Sequence, residues 1–156
     1  MVVKDIVVGD FINYKKPSLF IIFPYCDFKC DKENGCQLCQ NMPLIHQKNI
    51  EINVSDLINR YYDNIICQSL VCGGLEPMDS FDELIELIEY FRQRYNDDIV
   101  IYTGFYRDEI SDKIDILKQY PNIIIKYGRF IPNQKPHYDS TLGINLASDN
   151  QYAEII

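Results

Sequence analysis

No stretch of the 156-residue sequence approaches the roughly 18 consecutive apolar residues that cross a bilayer. The opening segment MVVKDIVVGDF carries charges where a secretion signal needs its apolar core, so the expectation is a cytoplasmic protein without membrane attachment. Cations are also scarce: 15 Lys and Arg against 23 Asp and Glu leave a net charge of -8. That sign opposes salt-driven binding to nucleic acid, which needs a basic face. The one basic run, Lys126, Arg129 and Lys135, is sparse and reads as a solvated edge. The two histidines, His46 and His137, have no ligand-like spacing to any cluster. No repeat, low-complexity segment or linker divides the chain, and its length suits one core rather than two, so 1–156 is expected to be a single domain.

What is present begins with four short apolar, β-branched runs: SLFIIFP near 17–23, QSLVCGG at 68–74, DIVIYTG at 98–104 and NIIIKYG at 122–128. Near-continuous apolar runs of this length are the mark of parallel strands buried on both faces. Helical patterns lie between them. Ser55 to Ile66 has N-cap chemistry. In SFDELIELIEYFRQRY, Ser80 and Glu83 have capping-box spacing, and Phe81, Leu84, Ile85, Ile88 and Phe91 form one apolar face. RDEISDKIDILKQYP carries acids early, Lys118 late and Pro121 as a stop. Alternating strand and helix predicts an α/β fold with a mostly parallel sheet of about four to six strands, open or partly rolled into a barrel. The connection after the first run is much longer than the others. The excess holds a cysteine cluster at the C-terminal edge of the sheet, where such folds bind ligands.

Cys26, Cys30, Cys36 and Cys39 crowd into CDFKCDKENGCQLC, while Cys67 and Cys72 flank an apolar run and read as core thiols. In a compartment that keeps thiols reduced, such a cluster points to metal rather than to a disulfide framework. Structural zinc usually draws on two pairs set a dozen or more residues apart, whereas five residues separate these. A redox Cys36/Cys39 pair leaves Cys26 and Cys30 without a role. An iron-sulfur cube accepts crowded thiolates on one loop, so spacing favours a cluster over zinc. CGGLEPMD follows the second run, with two glycines that permit close backbone approach and Glu76 at the same edge.

Taken in order, these segments resemble the radical S-adenosylmethionine enzymes, and within them the small activating proteins of anaerobic ribonucleotide reductase. CDFKC is similar to the start of that family's C-x3-C-x2-C loop and CQLCQN to its end, with apolar Leu38 before the last cysteine and Asn41 soon after. GGLEP is similar to GGEP, IYTGF to the activators' YTG segment, and YGRFIPNQKPHYDSTLGINLASDNQ to their closing stretch. The chain departs from the pattern in six extra residues within the cysteine loop, in Leu75 inside the GGEP-like motif, in Tyr127 where Asp is common, and in Tyr152 where Arg is usual.

The resemblance implies a partial (β/α) barrel of the radical S-adenosylmethionine type and a 4Fe-4S cluster held by three thiolates with one iron open. It implies S-adenosylmethionine bound at that iron and cleaved reductively to methionine and a 5'-deoxyadenosyl radical. The protein would then be an activase that installs a glycyl radical on a partner enzyme, anaerobic ribonucleotide reductase, with a flavodoxin- or ferredoxin-type electron donor. By the same resemblance Cys26 and Cys39 are the outer ligands. The middle ligand is Cys30, which keeps the x3 spacing, or Cys36, which keeps the C-x2-C chelate; the ease of inserting residues into a surface loop tilts the choice to Cys36. Gly73, Gly74 and Glu76 match the methionine-binding motif, and Asn41, Tyr102 and Thr103 border the adenosine. Two other expectations compete: a non-catalytic zinc or iron-sulfur interaction module, and radical chemistry on a small molecule or peptide.

Overall fold

The computed structural model describes residues 1–37 and 39–156; Leu38, the apolar residue inside the C-x2-C chelate, lies outside the described residues. In chain order the elements are β1 (Val2–Val3), β2 (Asp5–Asp10), β3 (Ser18–Phe23), α1 (Lys29–Asn34), β4 (Ile50–Glu51), α2 (Val54–Asp63), β5 (Ser69–Gly74), α3 (Phe81–Arg92), β6 (Asp98–Tyr102), α4 (Ser111–Leu117), β7 (Ile123–Tyr127), β8 (His137–Asp139), β9 (Ile144–Leu146) and β10 (Tyr152–Ile155). The four apolar runs become β3, β5, β6 and β7, which pair in parallel in that order. β2 joins β3 and β10 joins β7, both antiparallel, so the six-stranded sheet is mixed, with order β10-β7-β6-β5-β3-β2. The antiparallel β2–β3 edge follows from connection length: the short link between the two strands cannot make the crossover that a parallel pair requires.

Parallel strands laid side by side in chain order send their right-handed crossovers to one face of the sheet. On that face Leu19, Ile21, Leu70, Cys72, Ile99, Ile101, Ile123 and Ile125 meet Leu57, Ile58, Leu84, Leu87, Ile88 and Phe91 of α2 and α3 in one buried core. The alternate residues Val71, Val100 and Ile124 point the other way, where Tyr14, Leu142 and Leu146 cover them. Toward the C-terminal ends of the strands this second face becomes the wall of a cavity, to which Phe20, Ile22, Tyr102 and Lys126 contribute.

Three sequence expectations change. Ser80 makes no side-chain cap, because a 3-10 turn over Pro77–Ser80 runs straight into α3 and is capped one step earlier by Glu76. Glu83 instead accepts the Val2 N–H at 3.1 Å, which ties β1 to α3. Lys126 and Arg129 are not on a solvated edge: they are 7% and 2% exposed, since β7 and the residues after it are buried between two elements. Cys67 and Cys72 are buried in the core, as read from the sequence.

Candidate metal centre

The cavity, of about 590 Å3, opens at the C-terminal ends of the parallel strands and is of the size that holds small ligands. Cys26, Cys30 and Cys39 line it; Cys36 is exposed, lies outside its lining and donates its S–H to the Asn34 carbonyl at 3.4 Å. All four thiols are free. The inserted residues explain the selection, because they fold. Phe28, in a left-handed conformation, turns the chain into α1, and Gly35 (φ 68) ends it, so Cys30 is carried on the helix and Cys36 falls just beyond. Asn34 donates to the carbonyls of Cys30 at 2.7 Å and Phe130 at 3.2 Å, and Glu33 pairs with Arg129 at 3.0 Å. Arg129 is in turn gripped by both Glu109 oxygens at 2.8 and 2.7 Å. Asp31 accepts the Cys39 N–H at 2.9 Å, so the same short helix places a second thiol.

Burial pushes the Cys26 thiol up to about 12, with Glu76, Asp79 and Asp27 adding to the rise, and raises Cys30 and Cys39 as well. Thiols raised by desolvation are poor nucleophiles but ionise when a metal takes the proton's place. Three free, partly buried thiols lining one cavity are a donor set that fits an iron-sulfur cluster with an unfilled position, although the one group of possible metal ligands within 4.8 Å of one another among the described residues is Cys26, Asp27 and Asp79.

The Gly-Gly edge is needed on steric grounds. Gly74 has φ 83, and a Cβ there would stand 2.4 Å from Ile22 Cγ2. A Cβ on Gly73 would meet Phe20 and Tyr102 at 3.2 Å, so its bareness lets those rings close up on the cavity side. Gly74 lines the cavity, whereas Gly73, paired with it in the sequence motif, is not among the residues that line it. Asn41 lines the mouth and donates to the Gly74 carbonyl.

Glu76 is 6% exposed and ties two strand ends together, accepting the Met78 N–H at 3.1 Å and the Gly104 N–H at 2.8 Å. Burial carries its carboxyl up to about 7 against the pull of those bonds and of the Thr103 hydroxyl. Thr103 also accepts the Phe105 N–H at 3.0 Å, and Tyr102 donates its hydroxyl to the Asn13 carbonyl.

Sequence reasoning passed over Lys126 and Gly104. A Cβ on Gly104 would lie 3.4 Å from Cys30 Sγ and 3.6 Å from Glu76 Oε2, so this bare backbone separates the thiol from the carboxylate. Lys126 lines the cavity, and burial draws its ammonium down to about 8, opposed by Glu76 and Cys30. The signal for it was a lone cation in the otherwise apolar NIIIKYG, two residues after inward-facing Ile124.

The model of the 4Fe-4S single cluster domain family matches residues 17–152, a span that takes in the cysteine loop and all four parallel strands. No curated protein and no solved structure matches the chain.

Proposed function

The chain belongs to the family of 4Fe-4S single cluster domains, and from that premise we propose that it is an activase that uses S-adenosylmethionine to install a glycyl radical on a partner enzyme, anaerobic ribonucleotide reductase. The observation that carries the reading is that three thiols, Cys26, Cys30 and Cys39, line one open cavity, with Cys36 outside its lining. A closed four-thiol site would bring Cys36 in; three leave one iron for a ligand. When bound, the cluster supplies the electron that cleaves S-adenosylmethionine.

Everything else falls to the chain's own residues. Cys26, Cys30 and Cys39 hold the cluster, and Gly74, Glu76 and Asn41 shape the turn against which the methionine part is placed. Tyr102 and Thr103 border the remaining space beside it, and Phe20, Ile22 and Leu146 keep water from that wall. The open sheet supplies these groups from strand ends as a partial (β/α) barrel would, and a flavodoxin- or ferredoxin-type protein donates the electron from outside.

The test is a set of four single variants, reconstituted with iron and sulfide without oxygen. Cys26→Ala, Cys30→Ala and Cys39→Ala are expected to lose the cluster, read as iron content and reduced-state EPR, while Cys36→Ala keeps it and still forms 5'-deoxyadenosine from S-adenosylmethionine under reduction. Loss of iron in all four variants would establish a closed site and remove the activase reading; loss in Cys36→Ala with retention in Cys30→Ala would restore the C-x2-C chelate.

A further inference from the structure

We propose that Lys126 is the buried counter-charge of the cluster site, its ammonium offsetting the negative charge gathered by the cavity's thiolates and so favouring the reduced state. The inference rests on the cluster site proposed above and not on the reaction assigned to it.

Among the described residues that line the cavity, Lys126 is the one cation and Glu76 the one anion. Lys126 projects from β7 on the cavity side, in register with Tyr102 of the neighbouring β6, and is 7% exposed. A lysine ammonium has three donors. The Gly128 carbonyl takes one at 3.1 Å, and among the described residues no carboxylate forms an ion pair with it. A buried cation with donors to spare is costly unless the site itself brings an anion.

Two other charged groups bear on this assignment. Arg129 also acts on Cys30, but Glu109 and Glu33 already neutralise it and fix its direction. Among the described residues that line the cavity Glu76 is the one other charged group, and it acts on Lys126 ahead of Cys30, but its oxygens are held by the N–H groups of Met78 and Gly104 and it makes no ion pair with the ammonium. Cys30 adds to that pull. The fields of Arg129 and, after it, Lys126 reach Cys30, and of these two cations only Lys126 lines the cavity and lacks a carboxylate ion pair among the described residues.

The consequence concerns a single electron. Reduction of the cluster by an external low-potential donor adds one negative charge, with no bond broken and no proton required. In a site of low dielectric a fixed cation lowers the cost of that charge, and net charge and hydrogen bonds to sulfur are the quantities that set cluster potentials.

The experiment is an EPR-monitored redox titration of the reconstituted protein without added S-adenosylmethionine, comparing wild type with Lys126→Met, Lys126→Gln and Lys126→Arg. Both neutral variants are expected at a lower midpoint potential, with the equilibrium constant for reduction down at least tenfold, which for a one-electron couple reads as about 59 mV. Lys126→Arg keeps the charge and is expected to stay near wild type. An unchanged potential in neutral variants that retain their iron overturns the proposal. So does a pattern in which only their affinity for S-adenosylmethionine falls, because Lys126 would then serve the ligand. Should both neutral variants lose iron, Lys126→Arg decides alone: a wild-type potential supports the counter-charge and a tenfold weaker reduction overturns it. Failure of the activase reading would show in the four cysteine variants, as a closed cluster, before any Lys126 variant is compared.

Discussion

Glu76 shows how one side chain can serve both the fold and the site. Its carboxyl accepts N–H groups from the turns after β5 and β6 while lining the cavity, and burial raises its carboxyl to about 7. Gln has one acceptor oxygen and an amide that points donors at a backbone N–H. Glu76→Gln is therefore expected to cost about 1–3 kcal/mol, the penalty for a buried donor left without a partner. For a chain of this size that is a fall of roughly 2–4 °C in melting temperature per kcal/mol, checked by calorimetry. A melting temperature equal to wild type would mean that the two N–H groups find other acceptors.

At the scale of elements, α1 determines which sulfurs face the cavity. It has only six residues, too few to be stable alone, so its position depends on the tie from Glu33 through Arg129 to Glu109. Arg129 holds the Glu109 carboxyl below its ordinary range. A carboxyl depressed in the folded state contributes stability above its unfolded value of about 4.3, and that contribution is lost as pH falls through the folded value. Glu109→Gln is thus expected to destabilise the protein near neutral pH and to match wild type under acid conditions, as followed by thermal unfolding in a pH series. A difference that persists undiminished in acid would assign the effect to packing and not to charge. The same dependence explains why α1 was missed in the sequence: DKENG has no apolar face of its own, and its helical state is stabilised by Arg129, about a hundred residues away.

For the whole molecule, the cavity opens at the C-terminal ends of the parallel strands, where it is lined by strand ends and loops. Among the described residues no helix is long and apolar enough to cross a membrane. Exposed Phe11, Ile12 and Tyr25 are 66%, 78% and 50% accessible, and Ile12 lies on the cavity's rim. The activase proposed above would take its glycine from a partner protein at this mouth. Mixed without oxygen with S-adenosylmethionine, a reductant and anaerobic ribonucleotide reductase, the protein is expected to give methionine, 5'-deoxyadenosine and a doublet EPR signal on the reductase. Deoxyadenosine without a partner radical would move the substrate to a small molecule or a peptide.

The sequence by itself determined the four inner strands, the core helices and the crowding of thiols at one edge, because apolar periodicity and cysteine spacing are local and survive in one dimension. It also identified the Gly-Gly turn and Glu76. Only the tertiary structure decided between Cys30 and Cys36 for the cavity wall. Spacing counts residues along the chain, whereas α1 turns Cys30 inward and Gly35 releases the chain outward before Cys36. Lys126 and Arg129 follow the same logic. As letters they are two cations in an acidic protein, and their burial is set by β10 on one side of β7, β6 on the other, and carboxylates brought from distant positions. Burial and charge pairing are properties of three-dimensional neighbours, so the electrostatics of the site could be read only after the chain had folded.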